Sequence, residues 1–223
     1  GAGTTWTDTG LTNGTAYYYR IFAYDTYKNY ATGAAPATSY IPFAGILIGN
    51  GTDPGNSTIG PGNTAQMLDS FTLQTNGGAD TITAATITLS SGSYAGLSLI
   101  EITDDAGATV YGSVSDPTSN TPAITLTTNI PVTTTQTQYK VRITSKSHAN
   151  MPVPPGSAYA VTGTVTAISS TNTKTYSDTA SATITIDNAS PSNAVWGAIN
   201  PGNNQIALNW TNPADSTGVI ILR

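Results

Sequence analysis

The sequence predicts an all-β protein, a central β-sandwich with a partial sheet at each end. Three observations carry this. Val, Ile, Leu, Tyr and Thr alternate with polar residues in many short runs, the period of a strand with one buried face. Asp, Asn, Gly and Pro gather between those runs, where tight turns need them. No stretch holds a helical period, and none approaches the ~20 apolar residues of a membrane-spanning helix.

Segment 1–41 opens with a short strand expected at 4–7 and the turn Asp8-Thr9-Gly10. A strong strand follows at 15–23, with Tyr17, Tyr19, Ile21 and Ala23 on one face because strand side chains alternate. An edge strand is expected near 39–41. Residues 42–187 form the central unit. Strands are expected there near 44–48, 67–74, 81–89, 97–102, 109–114, 123–128, 138–144, 158–167 and 181–186. Turn signals separate them at Asp53-Pro54-Gly55-Asn56, Pro61-Gly62-Asn63, Asn76-Gly77-Gly78, Asp104-Asp105-Ala106-Gly107 and Pro154-Pro155-Gly156. Residues 187–192 read as a linker, with Pro191 fixing entry into the last segment, 188–223. That segment predicts strands at 194–199, 205–210 and 219–222. Ile206, Leu208 and Trp210 alternate along the second, and Asn-Pro with Asp-Ser-Thr-Gly supplies the loop at 212–218.

Charged residues make up 9% of the chain, against an ordinary share of about 25%, and Thr, Ala, Gly, Ser and Asn fill the gap. The formal charge of −5 and the pI near 4.4 argue against a nucleic-acid partner, which demands a basic surface. Cysteine is absent, which excludes disulfides, thiolate metal sites and a cysteine nucleophile. A Thr-rich, Lys-poor, Cys-free β-protein fits a prokaryotic extracellular or cell-surface location. The chain starts in what reads as mid-domain and stops just after a strand, the appearance of a repeat unit cut at an arbitrary phase.

Leu11, Gly14, Thr15 and Tyr17 match the L-x-x-G-T-x-Y pattern that precedes strand F of fibronectin type III-like domains. On those residues segment 1–41 resembles the closing strands of such a sandwich. The resemblance implies a tyrosine corner at Tyr17, its hydroxyl bonding back to upstream backbone. Residues 191–223 resemble the opening strands A, B and C of the same fold, with Trp210 where the family places its core tryptophan. The strands expected between Leu222 and Gly1 have no counterpart. The central unit resembles an immunoglobulin-like sandwich, of the kind that alternates with fibronectin type III modules in giant bacterial surface proteins. The expected fold is therefore an Ig-like β-sandwich flanked by two complementary partial fibronectin type III-like sheets.

Glu101, Asp104 and Asp105 form the acidic cluster of the sequence and its candidates for Ca²⁺, which favours several carboxylate and carbonyl oxygens in one loop. The competing and preferred reading is a hairpin turn, since Asp and Gly favour turns. Asp53, Asn56 and Asp80 are lesser candidates, with nothing to show that they converge. His148, the sole histidine, follows Lys140, Arg142 and Lys146 at even positions. These could contact a polyanion or sugar acid, but a solvated outer face is preferred, with Tyr139, Val141 and Ile143 turned inward. No nucleophile elbow accompanies His148, and the single Glu has no matched Asp for glycoside hydrolysis. No enzyme, cofactor or resident metal is expected. Tyr18, Tyr24, Tyr27 and Tyr30 could stack on a glycan, though aromatic side chains serve packing and interfaces as readily. Asn13, Asn50, Asn56, Asn188 and Asn209 stand in Asn-x-Ser/Thr triplets, which carry sugar in a eukaryotic secreted chain and arise by chance in Thr-rich sequences.

The expected function is a structural repeat unit of an extracellular filament, fibre or surface array. Copies of the chain join head-to-tail by completing a split β-sandwich, with Tyr17, Tyr19, Ile21, Ile206, Leu208 and Trp210 at the junction. The partner is a further copy, as separate subunits or tandem repeats, and the contact is heterologous. Folding of both ends together within one chain, with the central unit inserted, is the competing version. The alternative class is an adhesin or carbohydrate-binding module of a secreted protein.

Overall fold

A computed structural model describes residues 3–12, 15–42, 45–152 and 158–222. Among them the chain forms strands and two single turns of 3-10 helix, with no α-helix. It is all-β. In the central unit the strands are β1 (Gly45–Asn50), β2 (Ser57–Ile59), β3 (Gln66–Thr75), β4 (Asp80–Leu89), β5 (Leu97–Asp104) and β6 (Val110–Ser115). They continue with β7 (Ala123–Val132), β8 (Thr137–Ser145), β9 (Ala158–Val161), β10 (Gly163–Ser169), β11 (Thr173–Ser177) and β12 (Ile184–Asp187). Beyond it lie β13 (Val195–Gly202) and β14 (Gln205–Thr211).

Hydrogen bonding runs in the order β10-β4-β7-β6-β5-β8-β3-β1-β11, while β2, β12 and β9 form a smaller sheet. The long sheet turns over between β6 and β7, which share one pair, Gly112 with Leu126. A Cβ on Gly112 would stand 2.8 Å from the Thr125 carbonyl oxygen and 3.0 Å from the Leu126 Cα, so glycine admits the approach. Strands β7 and β10 then meet β3 across the interior. The result is a sandwich-like pair of layers.

The core follows from the alternation. Tyr139, Val141 and Ile143 of β8 are buried, while Lys140 and Arg142 between them point outward. Phe71 of β3 stacks on Tyr139 with ring centroids 5.8 Å apart, and Leu73, Ile46, Ile48, Ile87 and Ile100 belong to the same buried cluster. Each fully buried side chain of this kind stabilises the fold by about 1.5–3 kcal/mol. Among the described residues, the buried hydrophobic residues all lie between Ile46 and Ile186. The central unit therefore has a core of its own.

Several expectations shift. The strand expected at 158–167 is two strands in different sheets, parted at Thr162, whose N–H and C=O both bond to Ser90. Strands β2 and β11 lack an apolar alternation and were not expected. They form by parallel pairing with β12 and β1. The linker starts later than expected, because Asp187 ends β12 and Asn188 is only 2% exposed. His148 leaves the face of Lys140 and Arg142, since β8 stops at Ser145 and His148 opens a 3-10 turn. Asn13, Gly14, Ala44 and Pro154-Pro155-Gly156 lie outside the described residues. No helix among the described residues is long and apolar enough to cross a membrane.

Candidate assembly surfaces

Residues 15–42 double back as a sparse antiparallel hairpin. Its bridges are Tyr17 with Tyr40, Ile21 with Ala34 and Tyr24 with Tyr30, in place of the continuous strands expected at 15–23 and 39–41. The turn is held by Asp25, whose carboxylate accepts from the Tyr27 and Asn29 N–H groups and from the Asn29 amide, each at 2.9 Å. Those bonds hold the Asp25 carboxyl below its ordinary range. The Tyr17 hydroxyl accepts a hydrogen bond from the Thr12 N–H, five residues upstream, at 2.9 Å. The Tyr19 hydroxyl donates to the Asp8 carboxylate at 3.1 Å. These bonds fold 8–12 back against the hairpin, although the strand expected at 4–7 does not form.

One face of this hairpin is open. Tyr17 and Tyr19 are half-buried, as their shared face predicts, but Ile21 is 77% exposed. A concavity of about 860 Å³ is lined by Trp6, Leu11, Tyr19, Ile21 and Phe22, among others. The alternation that should bury Ile21 and Ala23 is present in sequence, yet among the described residues no strand layer covers that face.

The other end has the same defect. Among the described residues, strands β13 and β14 pair with each other and with no other strand. Trp196 faces Trp210, Ile199 faces Leu208 and Pro201 faces Ile206. Leu208 and Trp210 are half-buried by this pairing, whereas Ile206 is exposed and Trp196 is 63% exposed. The strand expected at 219–222 does not form among the described residues, and Ile220 there is 88% exposed. The six expected junction residues thus fall three on each ribbon. No strand pairing among the described residues joins the ribbons.

The acidic candidates are engaged otherwise. The Asp104 carboxylate accepts from the Ala108 and Thr109 N–H groups at 2.8 and 3.1 Å, closing the β5–β6 turn. Asp105 accepts from the Gln138 amide and pairs with Lys140 at 3.3 Å. Glu101 pairs with Arg142 at 3.1 Å. Asp80 accepts from Thr171 and from the Asn172 N–H, pinning the β10–β11 turn, and Asn56 accepts from the Thr183 N–H. No group of three or more acidic or histidine side chains among the described residues is arranged to hold a metal ion.

Sequence reasoning missed one convergence. Asp53, just after β1, and Asp178, just after β11, both act on the carboxyl of Asp69 within β3. Asp69 lies two residues before Phe71 on β3, in register with the inward Val141, where alternation predicts an apolar residue. That break in the pattern was the available signal. In comparisons with known proteins, no family model matches the chain, and no curated protein does.

Proposed function

We propose that the chain is a structural repeat unit of an extracellular filament, fibre or surface array, joined head-to-tail through a sandwich completed from its two ends. The observation that carries this is the pair of two-stranded ribbons, each with an apolar face uncovered, on either side of a unit with its own closed core. A two-stranded ribbon is marginal alone and needs a second layer. The Tyr17 hydroxyl bonded to the Thr12 N–H supports reading the first ribbon as the F and G strands of a fibronectin type III-like domain. The Trp210-bearing ribbon supplies the A and B strands, and 219–222 the strand that pairs with F. Completion removes exposed edges that otherwise promote wrong pairing, and such a heterologous contact propagates unless it closes into a ring. The central unit is the Ig-like spacer, and the chain binds rather than catalyses.

Electron microscopy of the native source material, with the mass of the denatured chain, tests this. Regular filaments or arrays, whose repeat is one central unit plus one completed sandwich, support it. The denatured mass separates subunits from tandem repeats. Monodisperse particles that never polymerise, but are retained on a glycan column through the exposed tyrosines, overturn it in favour of a carbohydrate-binding module.

A further inference from the structure

The buried carboxyl trio of the central unit poses a charge problem that the fold must solve. Asp69 is 0% exposed and Asp178 6% exposed, with Asp53 half-buried beside them. The outer two are anchored: Asp53 accepts from the Ser70 N–H at 3.0 Å, and Asp178 from the Val165 N–H at 2.7 Å. Neither oxygen of Asp69 meets an N–H or hydroxyl donor, and one oxygen of Asp178 is likewise unserved. The Asp53 and Asp178 carboxyls both raise the proton affinity of Asp69. Ionised carboxylates only accept hydrogen bonds, so three of them there would repel one another with nothing between.

Nothing nearby cancels the charge. On β8, Lys140 and Arg142 are committed to Asp105 and Glu101 on the outer face. On β11, Lys174 donates to the Ser170 carbonyl and the Tyr176 hydroxyl accepts from the Ile168 N–H. Strands β1, β2, β7 and β10 carry no ionisable side chain, and Asp53 and Asp178 are the ones in segments 51–56 and 178–183. The trio is not arranged to hold a metal ion.

We propose that Asp53, Asp69 and Asp178 form a proton-sharing cluster, in which Asp69 stays a neutral acid and donates to its neighbours, tying the stability of the sandwich to pH. The proton supplies the missing donor and removes one of three charges. Burial first, then the charges of Asp178 and Asp53, pushes the Asp69 carboxyl up to about 9. Burial chiefly pushes Asp178 up to about 6, against the lowering effect of the Val165 N–H. Both folded values exceed the unfolded carboxyl range near ~3.9. The stabilisation is therefore complete below the unfolded value and is lost as pH rises through the folded ones. Between pH 6 and 9 one proton is held by the folded chain and lost on unfolding, so the folded-to-unfolded ratio falls about tenfold per pH unit. The central unit is built for acidic surroundings.

The test is urea unfolding of the full chain from pH 5 to pH 9, followed by far-ultraviolet circular dichroism, for the natural sequence and for Asp69→Asn. The amide donates without ionising, so the midpoint should fall with pH in the natural chain and hold nearly level above pH 6 in the variant. A natural chain with a level midpoint across that range overturns the proposal. So does a variant as pH-sensitive as the natural chain. If the variant does not fold, ¹³C carboxyl shifts of the aspartate-labelled natural chain at pH 7 decide: one aspartate in the protonated range supports the cluster, and none overturns it. Millimolar calcium chloride that restores stability at pH 9 also overturns it, because a cation would then hold the trio.

Discussion

Trp210→Ala separates the assembled state from the single chain. In the single chain Trp210 is half-buried, opposite Trp196 in the β13–β14 register, and holds Asn212 through its indole N–H at 2.7 Å. A cross-strand pair of this kind contributes about 0.2–1 kcal/mol, so the substitution should barely disturb a dilute chain. In a completed sandwich the same ring is core, and its loss costs about 3–5 kcal/mol. The smaller figure already weakens association about a hundredfold. Sedimentation velocity over a concentration series reads that shift, and hydrogen exchange at β5 and β8 reads the central core. The expected outcome is lost assembly with unchanged protection at Ile100, Ile102, Val141 and Ile143. Equal loss of protection in the ribbon and the central core would refute the split-domain argument, and so would undiminished assembly.

Other perturbations test the central unit. Phe71→Ala removes a fully buried ring stacked on Tyr139 and should lower stability by about 3–5 kcal/mol in urea unfolding, leaving the ribbons unaffected. Gly112→Ala drives a methyl into the β7 backbone at the turn-over; a cost of about 1–3 kcal/mol is expected, checked by thermal unfolding. Asp104→Ala should speed hydrogen exchange at Ala108 and Thr109, the two amides its carboxylate holds, with little change elsewhere. Because those bonds also lower the Asp104 carboxyl below its ordinary range, against the opposing effect of burial, protection of this turn should fade as pH drops below about 4.

Alternation made the antiparallel interior legible. Tyr139, Val141 and Ile143 declare the inward face of β8, and the Asp-Asp-Ala-Gly signal marks the turn before β6. The same signal is silent where a strand owes its existence to an edge. Thr173–Ser177 carries no apolar face, and only the parallel register with β1 makes it a strand. Segment 15–23 shows the reverse: its alternation is strong, yet Ile21 and Ala23 stay exposed, because periodicity states what a face requires and not whether a partner covers it. The carboxyl trio joins positions far apart in the chain, and the one local hint is Asp69 at an inward position of β3.

The placement of the tryptophans has a practical consequence. The chain has three, Trp6 beside the first hairpin and Trp196 and Trp210 on β13 and β14, all outside the central unit, while the core rings are Phe71 and Tyr139. Indole emission is thus blind to the central sandwich and sensitive to whatever covers the ends. A natural chain excited at the red edge reports its own joining as a blue shift, without a label. Unfolding of the middle leaves that signal almost untouched.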